Sequence, residues 1–441
     1  MFVRGLRCML CGAEYAVGEV EYVCPKHGDE GILDVLYDYE AIRQVTSPAR
    51  IAEDPDVSIA RYAAVLPIRD RGSLPPVPVG GTPVYHARRL GRRLGLPHLY
   101  VKDDGRNPSA SFKDRASAVG VARARELGKR VMTGASTGNA AASLALLTAS
   151  VGIRSIIFVP ETAPRAKIAQ LLIHGATVLA VRGSYDEAYD LCLEATRRFG
   201  WYNRNTGYNP YLSEGKKSAA FEIAEQFTAI QRWDLPALLG HRGGWARGPE
   251  DVWDPPDWIF VSVGDGCIIG GLGKGILDMA ALGWISHTPR LMGVQAEGSA
   301  AIYRAWKAGT DVVEPVHPTT LADSISVGKP RDALKALRAV RETKGGMVLV
   351  SDAEILEAMK WLGRDAAVFA EPAGAAAFAG VIKALEEGWI GPKDRILVLV
   401  TGNGLKDVGA AIRATGEPLV IEPTLEAVQE AVERLGLDVT G

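Results

Sequence analysis

The chain has 441 residues, 47% of them hydrophobic and 23% charged, so it can bury a large core and divide into two or three domains. Lysine plus arginine (50) nearly cancels aspartate plus glutamate (52), which leaves no electrostatic footprint for nucleic acid or an anionic membrane and makes small-molecule chemistry the expectation. The opening residues, MFVRGLRCMLCG, have no apolar run before a small-residue cleavage site. The most apolar stretches, near Ala140–Gly152 and Gly374–Leu385, fall short of the roughly 20 residues that a membrane span requires; a cytoplasmic location is expected.

Five cysteines are few for this length and odd in number, and three of them crowd into the first 24 residues, which argues against a disulfide framework. Cys8-Met-Leu-Cys11 and Cys24-Pro-Lys-His27 form two knuckles 12 residues apart in a Tyr-, Val- and Gly-rich segment that suggests a small β-ribbon. The spacing suits one structural zinc held by Cys8, Cys11, Cys24 and His27 in a zinc-ribbon-like segment over residues 1–35. Four protein ligands would leave no open position for catalysis, so folding or docking is the expected role. The alternative is a metal-free remnant, because His27 stands where such ribbons more often carry a fourth cysteine.

Residues 36–78 read as a connector, with an acidic and aromatic patch (Asp34, Tyr37, Asp38, Tyr39) followed by the Pro-rich turn Leu74-Pro75-Pro76-Val77-Pro78. Strands and helices then alternate: strands at His98–Lys102, Val131–Thr133, Ser155–Val159 and Val178–Val181, and helices at Ala116–Leu127, Ala140–Ala149 and Ala166–His174. The second half repeats the style, with buried strands at Trp258–Val263, Arg290–Gln295 and Ile396–Thr401 and helices at Ile268–Ala280, Ala353–Leu362 and Gly374–Leu385. Repeated β-α units predict an α/β fold of two halves, each a mostly parallel sheet covered on both faces. Residues 231–257, rich in Trp, Pro and Gly, predict a surface loop, and Thr424–Leu435 an amphipathic helix.

Four segments carry the chemistry. Asn107-Pro108-Ser109-Ala110-Ser111-Phe112-Lys113-Asp114-Arg115 sets a lysine at a loop-to-helix junction among small residues, where an amine can be positioned and partly desolvated as Schiff-base chemistry needs. Alone it would read as a surface lysine at a helix start. Thr133-Gly134-Ala135-Ser136-Thr137-Gly138-Asn139 runs from a strand end into a helix whose first turn offers N–H groups and hydroxyls to a carboxylate or phosphate. Val263-Gly264-Asp265-Gly266-Cys267-Ile268 repeats the arrangement with glycines that let amides close around a phosphate; it lacks a clean dinucleotide fingerprint, and Cys267 reads as a small loop residue. Finally, Val400-Thr401-Gly402-Asn403-Gly404 ends a buried strand in a hydroxyl and a glycine turn.

In this order and separation, NPSASFKDR, STGNAA, the GDG loop and LVTGNGLKD resemble the threonine synthase branch of the fold-type II (tryptophan synthase β-like) pyridoxal-phosphate (PLP) enzymes. Gly80-Gly81-Thr82-Pro83, Glu214-Gly215-Lys216-Lys217 after Asn209-Pro210, and Glu371-Pro372-Ala373 fit the same pattern. The resemblance covers roughly Val79 to Ala411. It implies two three-layer parallel-sheet domains in a catalytic body over residues 79–441, the smaller at about 115–205 and the larger from 79–114 plus 206–441. It also implies Lys113 as the Schiff-base lysine and proton shuttle, Phe112 packed on the ring, Asn139 on the ring oxygen, Gly264, Asp265, Gly266, Cys267 and Ile268 as the phosphate cup, Thr401 at the ring nitrogen, and Ser136, Thr137 and Gly138 on the substrate carboxylate. A small amino-acid substrate and a homodimer are expected, with neither nucleic acid nor membrane as partner.

The chain departs from that pattern where relatives hold the leaving phosphate of O-phosphohomoserine. A threonine after the S-x-G-N asparagine, a polar pair before N-P and an arginine shortly after it correspond here to Ala140, Thr206-Gly207 and Leu212, with Arg204 nearby as a compensating cation. Threonine synthase-like chemistry, O-phosphohomoserine plus water giving threonine plus phosphate, is the first expectation. β-Elimination or β-replacement on a serine, threonine or O-phosphoserine-type substrate, as in dehydratases and in cysteate or cysteine synthase relatives, is the second. A non-catalytic sensor or scaffold on the same fold is the third, disfavoured by the intact lysine, asparagine and phosphate loop.

Overall fold

The computed structural model describes residues 1–233 and 252–436. Among these residues, three sheets organise the chain. The first is small and antiparallel, with Glu14–Tyr15, Val3–Cys8 and Leu33–Tyr37 in spatial order. The largest has six strands, in the order Gly346–Val350, Arg290–Ala296, Trp258–Ser262, Ile396–Val400, Leu99–Asp103 and Val84–His86, all parallel except the last pair. The third has four parallel strands, Thr177–Val181, Arg154–Pro160, Val131–Ala135 and Tyr202–Asn203. Ile396–Val400 and Trp258–Ser262 are buried at every position, as central parallel strands covered on both faces should be. The α/β class with parallel sheets is therefore observed.

Helices that the alternation did not predict fill the space between and outside the sheets. Tyr185–Phe199 starts on a capping box, Ser184 with Glu187, and stops at Gly200 in the left-handed conformation (φ 66°). Pro210–Trp233 is 24 residues long. It packs against the Cys267–Leu282 and Lys113–Glu126 helices, and its buried polar side chains mask any apolar stripe. Its last three residues, Gln231–Trp233, occupy the start of the expected surface loop; residues 234–251 of that loop lie outside the described residues.

The first-sheet strand Leu33–Tyr37 docks on the same long helix. The Tyr37 hydroxyl donates to Glu214 Oε2 (2.8 Å) and its ring lies 3.7 Å beneath Lys217 Nζ, while the Tyr39 hydroxyl donates to Asp278 Oδ1 (2.6 Å). A second polar core lies under the Lys113 loop. Arg115 makes two bonds to Asp104 (2.6 and 2.9 Å) and two to Glu222 (2.8 and 3.1 Å), and Lys102 Nζ reaches Glu222 at 2.6 Å. All four side chains are buried. Such a network stabilises the fold only while each charge keeps its partner.

Candidate active site

The carboxyl ends of parallel strands from the two larger sheets open on one cavity of about 570 Å³, the position where ligands bind in open α/β folds. That volume is within the range of small-molecule sites. Three helices begin on it, at Lys113, Asn139 and Cys267, and none has a side-chain cap at Phe112, Gly138 or Gly266. The dipoles of all three make the cavity floor attractive to anions, while at the Lys113 start the Asp114 and Arg115 N–H groups are already taken by the Ser111 and Phe112 carbonyls (3.4 and 3.2 Å).

Lys113 is half-buried on the cavity wall. Removal from water pulls its amine below the ordinary lysine value, and Arg204 adds repulsion, against the opposing pull of Glu371 and Asp265. Its loop is pinned to the end of the strand Ile396–Val400: the Phe112 N–H donates to the Thr401 carbonyl (2.8 Å), and Ser111 bridges to Gly402. The structure sets the Phe112 ring off the cavity wall. It is fully buried in the core, with the Arg115 guanidinium 5.6 Å from its centre. Its position serves the placement of Lys113, and a ring in the cavity would meet other surfaces.

Ser136, Thr137, Gly138 and Asn139 lie together on the wall. Asn139 Nδ2 donates to Glu371 Oε1 at 2.8 Å. Burial pushes the Glu371 carboxyl up to about 6, against the pull of Lys113. Glu371 itself is held by its N–H on the Gly402 carbonyl (3.0 Å), and any side chain at Gly402 would collide with its carboxylate. In the sequence Glu371 is only part of the Glu371-Pro372-Ala373 pattern: the proline and alanine after it mark a helix start but carry no sign that its carboxylate acts on Lys113.

Gly264, Asp265, Gly266, Cys267 and Ile268 form the opposite wall. A Cβ at Gly264 would come within 2.9 Å of Ile325 Cα, and Gly266, at φ 90°, would meet the Asp332 carbonyl at 2.9 Å. Asp265 Oδ1 accepts the Arg331 backbone N–H (3.2 Å). Burial pushes the Cys267 thiol up to about 12, so it is no nucleophile. Thr401 lies on the wall at the strand end.

Two further cations reach this wall. Arg204 and Lys216 are buried, and neither Arg204 Nη2 nor Lys216 Nζ has a hydrogen-bond partner among the described residues. Of the departing positions, Ala140 and Thr206 line the cavity while Gly207 and Leu212 do not. Gly207 (φ 75°) is where Arg331 passes too close for any side chain, and Leu212 packs on Gly120 in the core.

Away from the cavity, one ligand atom each from Cys8, Cys11, Cys24 and His27 lies within 4.8 Å of all the others. Cys11 Sγ is 4.0 Å from Cys24 Sγ, and His27 Nδ1 is 3.8 Å from Cys8 Sγ and 3.5 Å from Cys24 Sγ. Tetrahedral bonds of roughly 2.0–2.3 Å put ligand atoms just under 4 Å apart, which these separations match.

A lysine amine depressed by burial, facing glycine-lined helix starts suited to anions, is the arrangement expected of an enzyme pocket for an anionic carbonyl cofactor. Residues 77–402 match the family described as pyridoxal-phosphate dependent enzyme, and the chain belongs to that family. It is 37% identical to a threonine synthase of Methanocaldococcus jannaschii over 97% of this chain and 99% of that one, and 38% identical to a threonine synthase of Methanosarcina acetivorans over 97% and 98%. A threonine synthase of Mycobacterium bovis is 33% identical over 86% and 96%. Among solved structures, an Escherichia coli diaminopropionate ammonia lyase superposes with a TM-score of 0.63 at 16% identity, covering 82% of this chain and 93% of that one. A threonine deaminase of Solanum lycopersicum superposes with a TM-score of 0.61 at 23% identity, covering 76% and 87%; both show the fold. The chain is thus a PLP-dependent lyase of threonine synthase-like type. Among the described residues no helix is long and apolar enough to cross a membrane.

Proposed function

We propose that this enzyme converts O-phosphohomoserine and water to threonine and phosphate. The observation that carries the reading is the convergence of three uncapped helix starts on Lys113, because this substrate and PLP together bring two phosphates and a carboxylate to one lysine. The cavity fits the cofactor: its glycines leave no room for side chains where a phosphate would meet backbone N–H groups, and buried polar atoms on its wall lack partners. When bound, PLP supplies a carbonyl for the substrate amine and a ring that draws electrons from its α-carbon. Gly264 to Ile268 would hold its phosphate. Asn139 would give one N–H to the ring oxygen while Glu371 keeps the other, and Thr401 would meet the ring nitrogen. Ser136, Thr137 and Gly138 would bind the substrate carboxylate. The Lys113 amine, kept neutral more of the time by burial and so free to accept a proton, would move protons at the substrate carbons. In the net reaction the Cγ–O bond breaks with its electron pair on phosphate, one Cβ–H bond is replaced by a bond to the water oxygen, Cγ gains a proton to become the methyl group, and the remaining proton leaves with phosphate.

The test is turnover of O-phosphohomoserine, O-phosphoserine, serine and threonine by the purified holoenzyme, with phosphate, threonine and keto-acid measured. Threonine and phosphate should form together from the first substrate. Keto-acid from serine or O-phosphoserine as the faster product would replace this reading by β-elimination.

Thr401 tunes the outcome. A neutral hydroxyl leaves the ring nitrogen without a fixed positive charge, so electron density stays nearer the substrate and a leaving group departs before transamination. Thr401→Asp should keep the cofactor, slow threonine formation and raise the share of transaminated product, whereas Thr401→Ser should be nearly silent. An unchanged product ratio in Thr401→Asp would remove Thr401 from the ring.

We further propose one structural zinc at Cys8, Cys11, Cys24 and His27. Its support is the donor set and its near-tetrahedral spacing. The site would stiffen the sheet whose last strand carries Tyr37 onto Glu214. Elemental analysis should give one zinc per chain, and Cys8→Ser with Cys11→Ser should remove it and lower the midpoint of thermal unfolding. A native protein that holds no zinc, or a double variant that unfolds at its parent's temperature, would defeat the assignment.

A further inference from the structure

Most buried cations near the cavity have carboxylate partners. Arg115 meets Asp104 and Glu222, Lys102 meets Glu222, Arg61 meets Glu225, and Lys217 meets Glu214 and Asp278, each at 2.7 Å. Arg204 and Lys216 do not: Arg204 Nε has only the Ser117 hydroxyl (3.2 Å), and Lys216 Nζ has no hydrogen-bond partner among the described residues. An unpaired buried cation is costly to keep, and two that face one cavity are worth keeping where an anion arrives between them.

We propose that Arg204 and Lys216 form the subsite for the phosphate carried by the substrate, a second anion site distinct from the Gly264–Ile268 cup; this rests on the lyase reading above. Ser117 lies four residues after Lys113 on one helix face, so its bond to Arg204 sets the guanidinium one turn from the reactive amine. Lys216 lies one turn beyond Leu212 on the Pro210–Trp233 helix and lines the cavity, which Leu212 does not. The cofactor's own phosphate is provided for by glycine N–H groups and a 16-residue helix. A second dianion has no such cradle and calls for side-chain cations, one of them a planar fork suited to phosphate. As the Cγ–O bond breaks, its electron pair adds charge to the departing phosphate, which the two cations meet. Burial lowers Arg204 to about 10 and, with repulsion from Arg204 and Lys113 adding to it against the pull of Asp332, Lys216 to about 8.

The test uses holoenzymes of Arg204→Gln, Lys216→Gln and Arg204→Lys. Inorganic phosphate is titrated as the probe, read by the cofactor's visible absorbance and by inhibition; cofactor affinity is measured separately, and KM and kcat for O-phosphohomoserine follow. Each neutral variant should weaken inorganic phosphate and raise KM by about 10- to 100-fold, the loss of charged hydrogen bonds, with cofactor affinity unchanged. Arg204→Lys keeps a charge and should recover part of the loss, and it gives the same readout if a neutral variant does not fold. Weakened cofactor with unaltered phosphate affinity would assign these cations to the cofactor and overturn the proposal, as would unaltered KM and phosphate affinity in all three. If the parent enzyme fails to turn over O-phosphohomoserine but binds inorganic phosphate through these two residues, the subsite stands and the threonine synthase reading falls.

Discussion

Lys113→Ala should lower turnover by at least about 10³-fold, the scale on which loss of a positioned proton-transfer group is felt. The variant should still bind PLP, because the Gly264–Ile268 wall and its helix start are untouched. Borohydride reduction of the parent holoenzyme, followed by peptide mapping, should place the label on Lys113. Lys216 is the informative competitor: it faces the same cavity, and burial lowers its amine to about 8. A label there would exchange the two lysines' roles. Lys113 is favoured because it begins a helix beside Asn139, Glu371 and Thr401, whereas Lys216 sits inside one.

Arg115→Leu should cost about 3–5 kcal/mol of stability, since it strands the carboxylates of Asp104 and Glu222 in the core. That is a large part of the roughly 5–15 kcal/mol that holds a typical protein folded. For a chain of this size the cleanest readout is the rate of thermal inactivation. Arg115→Lys should recover little, because one ammonium cannot span two carboxylates bidentately. The network also sets an acid limit. Burial resists ionisation of Glu222, but Arg115 and Lys102 outweigh it and hold the carboxyl well below its ordinary value of 4.5. Its contribution is therefore full above about pH 4.5 and is lost as pH falls through the depressed native value. Glu222→Gln should flatten that acid limb; an inactivation rate equal to the parent's at low and neutral pH would show that the network contributes nothing.

The alternation of strands and helices was readable because each unit is local: a run of β-branched residues, a glycine turn, a helix start. The motifs were readable for the same reason, since chemistry in this architecture collects at strand ends, and STGN, the GDG loop and Thr401 each carry their strand, turn and helix in one short segment. The Tyr185–Phe199 helix had a legible signal in Ser184 and Glu187. The Pro210–Trp233 helix did not, because it is buried on several sides and its buried acids and lysines interrupt any periodic stripe.

What the sequence by itself determined is the inventory: a lysine at a helix start, glycines where phosphate can approach, a hydroxyl at a strand end, and four metal-type donors in two knuckles. The tertiary structure alone decided which charges are spent and which are free. Lys216 and Lys217 are neighbours of identical chemistry, yet Lys217 is neutralised by Asp278, 61 residues away, while Lys216 turns to the cavity unpaired. Phe112 looks like a site residue in sequence but is core, Leu212, where relatives carry an arginine, is core as well, and Glu371 looks like a helix start but acts on the reactive amine. The physical reason is common to all of these: adjacent residues on a helix point about 100° apart, so a side chain's partner depends on what packs against that direction, and long-range packing is not written in local spacing.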